Sequence, residues 1–425
     1  MGLCLIFFLP PVSPVAIQIK SHWDFYILRL TNNLKLWQAL TDLPAFDLTL
    51  FLCRVITTIL YGLFLVAVVI QIGFALYFFL RVFGMADEGV DSKTDNQGVS
   101  IIICAKNEAK NLDDHLSGIL RQQYGGNFEV IVVNDASNDA TGNVLRNYKE
   151  DFDNLNEVMI SSFEKRVFKG KKHALSNGVA AAQYDWLLLT DADCEVASGN
   201  WLQQMVAPLG RGKEIVAGYG GYTEGAGLLN AFTRWETVHS FLQYSTYALA
   251  GLPYMAVGRN MACTKSVFLK AQQSKLWNEL PSGDDDLSVR ICGTPDNVAV
   301  VCNEEAFTHS AAKTTWKEWA GQKQRHLSAG KYYKWGIKLL MGAYGFAHAV
   351  MWLGFVVLLF TKYRVVVGAL FGVRCLVYWL IWAFTARKLN EKNLVYFFPL
   401  FDLGWMIYNF AFFPYITWKN KQQWK

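Results

Sequence analysis

DWLLLTDAD, residues 185–193, is an apolar run that ends abruptly in two carboxylates. A short apolar run bounded in this way suits a strand, and an open α/β sheet exposes its site at the carboxyl ends of its strands. Asp191 and Asp193 stand two apart on that extended end. They project similarly and can share one hard cation through oxygen ligands, a natural way to hold a diphosphate. Capping of the following helix is the plainer use of the same two acids. Upstream, SIIICA (residues 100–105) and FEVIVVND (residues 128–135) repeat the apolar run, with a helical pattern around residues 171–182. That alternation predicts βαβ units and a parallel sheet.

Other candidates lie at the ends of these runs. Beyond FEVIVV stand Asn134, Asp135, Ser137 and Asp139, groups suited to hydrogen-bonding a base and a ribose, of which Asp135 is selected. Asn138 and Asp139 equally suit a helix cap. Lys169, Lys171 and Lys172 surround Gly170 just ahead of the helical pattern, where cations and free backbone N–H groups can meet phosphate oxygens. Ser282 and Gly283 lead into Asp284, Asp285 and Asp286, whose mutual repulsion raises the pKa of at least one of them. One of the three is placed to take a proton from an acceptor hydroxyl, and Asp286 suits a helix cap better than Asp284. Gln322, Arg325 and His326 lie among Trp316, Trp319, Tyr332, Tyr333 and Trp335, an aromatic and basic belt that sets donors against a leaving diphosphate or a lipid phosphate. No GxGxxG follows the first strand, and GxxxxGK[ST], HExxH and GxSxG are missing, so dinucleotide, P-loop and serine-hydrolase chemistry fall away.

The bulk composition adds a membrane. Of 425 residues, 52% are hydrophobic, 15% aromatic and only 18% charged, too apolar for an ordinary soluble domain. The net charge of +5 gives no basic block and no reason to expect nucleic acid. The eight cysteines contain no CxxC pair, which leaves no zinc or disulfide framework to read and suits a reducing cytosol. Residues 55–80 carry no charge, against the roughly 20 needed to cross a bilayer. Residues 21–42 read as a helix lying in the membrane interface. The expected organisation is an interfacial leader (1–50), a transmembrane helix (51–83) and a cytosolic catalytic domain (98–310). An amphipathic interfacial segment (311–335), about three C-terminal transmembrane helices (336–418) and a basic tail (419–425) complete it. Pro399, Asp402 and Gly404 make a re-entrant hairpin the alternative for the last crossing.

Taken in order, these pieces resemble the membrane-bound family 2 glycosyltransferases with a GT-A fold, the group of the cellulose, hyaluronan and poly-N-acetylglucosamine synthases. The resemblance covers roughly residues 100–330. It implies an α/β fold, a GT-A Rossmann-like mostly parallel sheet with helices on both faces, joined to an α-helical transmembrane region. SIIICAKNEAKNL resembles the first strand and nucleotide loop, so Ala105 and Glu108 would face the base, and VNDASND resembles VDDxSxD, giving Asp135 the uracil side. GKKHALSNG assigns Lys171 to phosphate with Asn177 nearby. TDAD resembles the DXD motif, with Asp191 toward the nucleotide and Asp193 on the metal. GRNMACTK resembles the acceptor segment, which brings in Gly258, Arg259 and Asn260, and QKQRH resembles QxxRW. Gly283-Asp284 stands where the family has Glu-Asp, so the base is Asp284 or Asp285, with the spacing to Leu287 and Arg290 favouring Asp284. His326 stands where the family has Trp.

The function so implied is an inverting transfer of a sugar, dependent on Mg2+ or Mn2+, from a nucleotide-diphosphate sugar, a UDP-sugar, to a lipid or glycan acceptor at the membrane. The protein would be integral to a bacterial inner membrane, among membrane lipids, with its catalytic domain cytosolic and an export or assembly partner in prospect. Two alternatives stand beside it: a processive polysaccharide synthase that exports its chain, and a non-catalytic scaffold subunit that keeps only the nucleotide-sugar fold.

Overall fold

The structure, a computed structural model, describes residues 45–85, 97–280 and 283–417. The expected interfacial helix at 21–42, most of the leader and the basic tail lie outside the described residues. The chain divides into two compact units, Met1–Leu60 and Tyr61–Lys425. The described part of the first is the beginning of helix α1, Ala45–Tyr77.

The sheet-bearing half opens with β1 (Val99–Ala105), α2 (Ala109–Leu120), β2 (Phe128–Asp135), α3 (Thr141–Asp151) and β3 (Leu155–Ile160). It continues through α4 (Lys171–Ala181), β4 (Trp186–Asp191), β5 (Cys194–Val196), α5 (Trp201–Gly210), β6 (Ile215–Ala217) and β7 (Gly220–Tyr222). A long helix, α6 (Leu228–Leu249), precedes β8 (Met261–Thr264), α7 (Lys265–Gln272), α8 (Lys275–Glu279), α9 (Asp284–Cys292), β9 (Val298–Val300) and β10 (Thr308–Ser310). The main sheet runs β3, β2, β1, β4, β8, β6, β9. Strands β1 to β4 are mutually parallel, and β8 runs antiparallel to both β4 and β6. The βαβ alternation is therefore present, and the sheet is mixed because β8 enters as the return strand between β4 and β6.

Strand periodicity builds two cores. Ile101, Ile103, Val130, Val132 and Leu188 face Leu116, Leu145 and Trp201, whereas Ile102, Ile131, Val133 and Leu189 face Leu175, Val179 and Val238. Each strand buries both faces, which is why the sequence shows unbroken apolar runs rather than alternation.

The chain ends in α10 (Trp316–Leu327), α11 (Trp335–Leu358), α12 (Arg364–Lys388) and α13 (Phe398–Thr417). Four helices among the described residues are long and apolar enough to cross a membrane: Thr49–Gly84, Trp335–Leu358, Arg364–Lys388 and Lys392–Tyr415. The last of these includes the short 3-10 turn Lys392–Phe397, and Pro399, Asp402 and Gly404 lie inside one continuous helix. A Pro in the first helical turn loses no intrahelical hydrogen bond, so Pro399 does not break it.

Candidate active site

The ends of β1 and β4 lie side by side, Cys104 opposite Asp191. Above them opens a cleft of about 1690 Å3. Asp191, Asp193, Asp284, Asp285, Glu108, Lys171, Gly258, Arg259, Gln322, Arg325 and His326 all line it. Carboxylates from three separate stretches of sequence thus converge with the cations meant to oppose them.

Lys171, the first residue of α4, is ion-paired with Asp191. Enclosure in the cleft pushes the Asp191 carboxyl up, but Lys171 and then Arg259 outweigh it and hold it below the ordinary range. For Lys171 enclosure works downward and Asp191, Cys104 and Asp284 win, keeping the ammonium charged. Asp193 has no ion-pair partner among the described residues. Burial and then the neighbouring Asp191 charge push it upward. Lys172 turns the other way and lies fully buried, its Nζ 3.2 Å from the Trp277 carbonyl and over that indole ring. Of the Lys pair around the helix start, one serves the cleft and the other the core.

Gly283, with φ of 78°, takes the left-handed conformation that glycine adopts freely and starts α9. All three acids then fall in the first helical turn, where the helix dipole favours negative charge. They are not equivalent. Asp285 accepts from the backbone N–H of Gly258 at 2.7 Å and of Asp286 at 2.9 Å, and Asp286 accepts from the Tyr333 hydroxyl at 3.1 Å. Asp284 makes no side-chain hydrogen bond among the described residues, so it is the acid left to meet a ligand. Burial and then Asp284 push Asp285 up to about 6, and burial and then Asp285 push Asp286 well above its ordinary value. Repulsion raises these acids as the sequence suggested, but burial is the larger cause.

Over the cleft stands α10. Its Gln322 amide oxygen is buried with no hydrogen-bond partner among the described residues, an acceptor in want of a donor. His326 is open to the cleft, and enclosure by the walls followed by Lys323 and Arg325 keeps its ring below the usual histidine range and neutral. Burial also lowers Arg325, with Asp191 acting against it. Arg259 donates from Nε to the Gly220 carbonyl at 3.0 Å and stacks over Tyr222.

Other expected site residues are spent elsewhere. Asn260 is fully buried, donating to the Tyr219 and Ala306 carbonyls at 2.8 Å and accepting from the Trp201 indole at 3.0 Å, so it fastens strands behind the cleft wall. Ala105 is buried at the end of β1. Asp135 lies at the end of β2, fully buried in a two-contact pair with Arg166, Nη1 to Oδ2 at 3.1 Å and Nη2 to Oδ1 at 2.5 Å, and does not line the cleft. Asp139 accepts from the backbone of Thr141 and Ala109, and Ser137 from that of Asn107, tying the loops after β1 and β2 together. Asn177 bonds back to the His173 carbonyl of its own helix. Sequence reasoning missed Tyr222, Lys313 and the pair Glu236 and Lys323, all of which line the cleft. Glu236 had a signal: a carboxylate inside the aromatic stretch around Trp235 must find a cation.

The description "Glycosyl transferase family 2" matches residues 100–268. That stretch is a family 2 glycosyltransferase domain. Over 97 residues the chain is 30% identical to the poly-beta-1,6-N-acetyl-D-glucosamine synthase of Staphylococcus epidermidis RP62A, and 32% to that of Staphylococcus aureus COL. Those matches cover 23% of this chain and 22% of each relative, so the chain spans about a fifth of the length of the curated relatives it matches. Among solved structures it is similar to a mannosyltransferase, PcManGT, from Pyrobaculum calidifontis in complex with GDP-Man and Mn2+. That likeness has a TM-score of 0.51 at 17% identity, covers 81% of this chain and 99% of that one, and establishes the GT-A type of fold.

Proposed function

We propose that this glycosyltransferase moves a sugar from a nucleotide-diphosphate sugar, a UDP-sugar, to a hydroxyl of a membrane-associated acceptor, with inversion at the anomeric carbon. The observation that carries the reading is the convergence of Asp191, Asp193 and Asp284 with Lys171 and Arg325 in one cleft. The acceptor oxygen attacks the anomeric carbon as the bond from that carbon to the diphosphate breaks. Asp284, whose side chain makes no hydrogen bond among the described residues, takes the hydroxyl proton. Lys171 and Arg325 gather the charge that builds on the diphosphate. With four candidate spans and the catalytic half joined to them, the acceptor meets the enzyme at the membrane, and we place that half on the cytosolic side of a bacterial inner membrane.

The donor set fits a hard divalent cation. Among the described residues no three ligating side chains gather, but magnesium-like ions take one or two carboxylates and complete their shell with water and substrate phosphate. Asp193, raised by burial and then by the neighbouring Asp191 charge, and Asp191 would hold it. When bound, Mg2+ or Mn2+ would neutralise the departing diphosphate as a Lewis acid.

Asp284→Asn should abolish transfer and leave nucleotide binding near normal. Retained turnover would move the base elsewhere. Asp193→Ala should lose nucleotide-diphosphate binding in titrations with manganese as well as activity, and turnover indifferent to a chelator would remove the metal from the reading.

A further inference from the structure

Resting on that transfer reading, we propose that the acceptor is a lipid with a free hydroxyl on its headgroup, its hydrocarbon tail lying in an apolar groove between α11 and α13. The cleft that holds Asp284 does not end at the sheet. It continues along one stripe of α11, through Gly345, Ala349 and Leu353, and one stripe of α13, through Met406, Phe410 and Phe413. The spacing of three and four keeps each set on a single helix face. Both helices are candidate membrane spans, so the medium beside the groove is acyl chain. Leu353, Phe410 and Phe413 are each more than half exposed. A Cβ built on Gly345 would meet nothing within 4 Å, so the floor of the groove has room for a chain.

The chemistry selects the occupant. A sugar polymer threading this path would bury most of its hydroxyls against the apolar side chains of the two stripes, where Lys338, Trp405, Tyr408 and Asn409 are polar groups within the lining. A hydrocarbon tail asks for no partner. At the other end Asp284 is a proton acceptor, of use to a hydroxyl, whereas an ionised phosphate would be repelled by Asp284 and Asp285. In the transfer, the headgroup oxygen bonds to the anomeric carbon, the carbon–oxygen bond to the diphosphate breaks, and the proton passes to Asp284.

The test is isothermal titration of the full chain in detergent with n-alkyl β-D-glucosides below their micelle concentrations, on the wild type and on Gly345→Leu. Leucine is the better helix former, so the variant should fold with the groove filled. Over tails of about two to about ten carbons, wild-type affinity should rise by up to roughly fourfold for each methylene removed from water. In Gly345→Leu that dependence should flatten. Affinity independent of tail length, or the same dependence in both proteins, would overturn the groove. Nucleotide release from a panel of nucleotide sugars separates the two ideas. Equal release with glucose and with the decyl glucoside would leave the transfer reading standing without the groove, and length-dependent binding with no release from any donor would do the reverse.

Discussion

Asp285 shows how one cleft sorts adjacent identical side chains. Its carboxyl is raised to about 6 by burial and then by Asp284, while two backbone N–H groups oppose the rise. Because the folded protein holds that proton more tightly than the unfolded chain, stability from this group is present at low pH and is lost between roughly pH 4 and 6. Asp285→Asn removes the dependence. The difference in thermal midpoint between variant and wild type should therefore grow in the variant's favour from about pH 4 to about pH 6 and level off above it, which a melting series across that range will show. At this scale the sequence was legible where a side chain ends a strand. Asp191 and Asp193 could be read because WLLLT points straight at them. Asp135 carried the same signature, yet the partner that claims it, Arg166, lies on a later loop whose path no local pattern fixes. Asn260 was unreadable for the same reason, since its three partners come from three distant segments.

Among the elements, α10 depends on a pair that periodicity could not reveal. Lys323 is buried and ion-paired with Glu236 of α6, which holds the helix bearing Gln322, Arg325 and His326 above the cleft. On its outer side Trp319 packs against Tyr408 and Phe412 of α13. Losing one member of a buried pair strands the other, a penalty of about 3–5 kcal/mol, whereas replacing both with apolar groups is often neutral. Lys323→Met should thus lower both thermal stability and nucleotide release, and Lys323→Met with Glu236→Leu should recover most of the stability. Comparison of the single and double variants by melting and by initial rate checks this. The helix itself was legible as an amphipathic belt. That it buries its indole against α13 was not, because an aromatic and basic face reads alike whether it meets lipid or another helix.

For the whole molecule, one polar cluster joins all four apolar helices. Arg374 of α12 is fully buried and reaches Asp402 of α13 at 2.5 Å and the Gln71 amide oxygen of α1 at 2.9 Å. Trp352 of α11 donates to the same carboxylate at 2.9 Å. Asp402→Asn leaves the guanidinium without its counter-charge at about the same 3–5 kcal/mol cost, so the protein in detergent should melt several degrees lower while its soluble nucleotide-binding residues stay intact. The four helices were legible from length and apolarity, but their register was not, because composition does not say which faces meet.

Helix α6 is buried along most of its length between the sheet and α12, where Trp235 stacks on Trp382 at 5.5 Å and meets Phe401 and Trp405 of α13. A fragment that stopped ahead of Trp335 would hand that aromatic surface to water. The catalytic half is therefore no cargo on an interchangeable anchor: grafted to a different tether it would have to find another aromatic bed for α6 or aggregate.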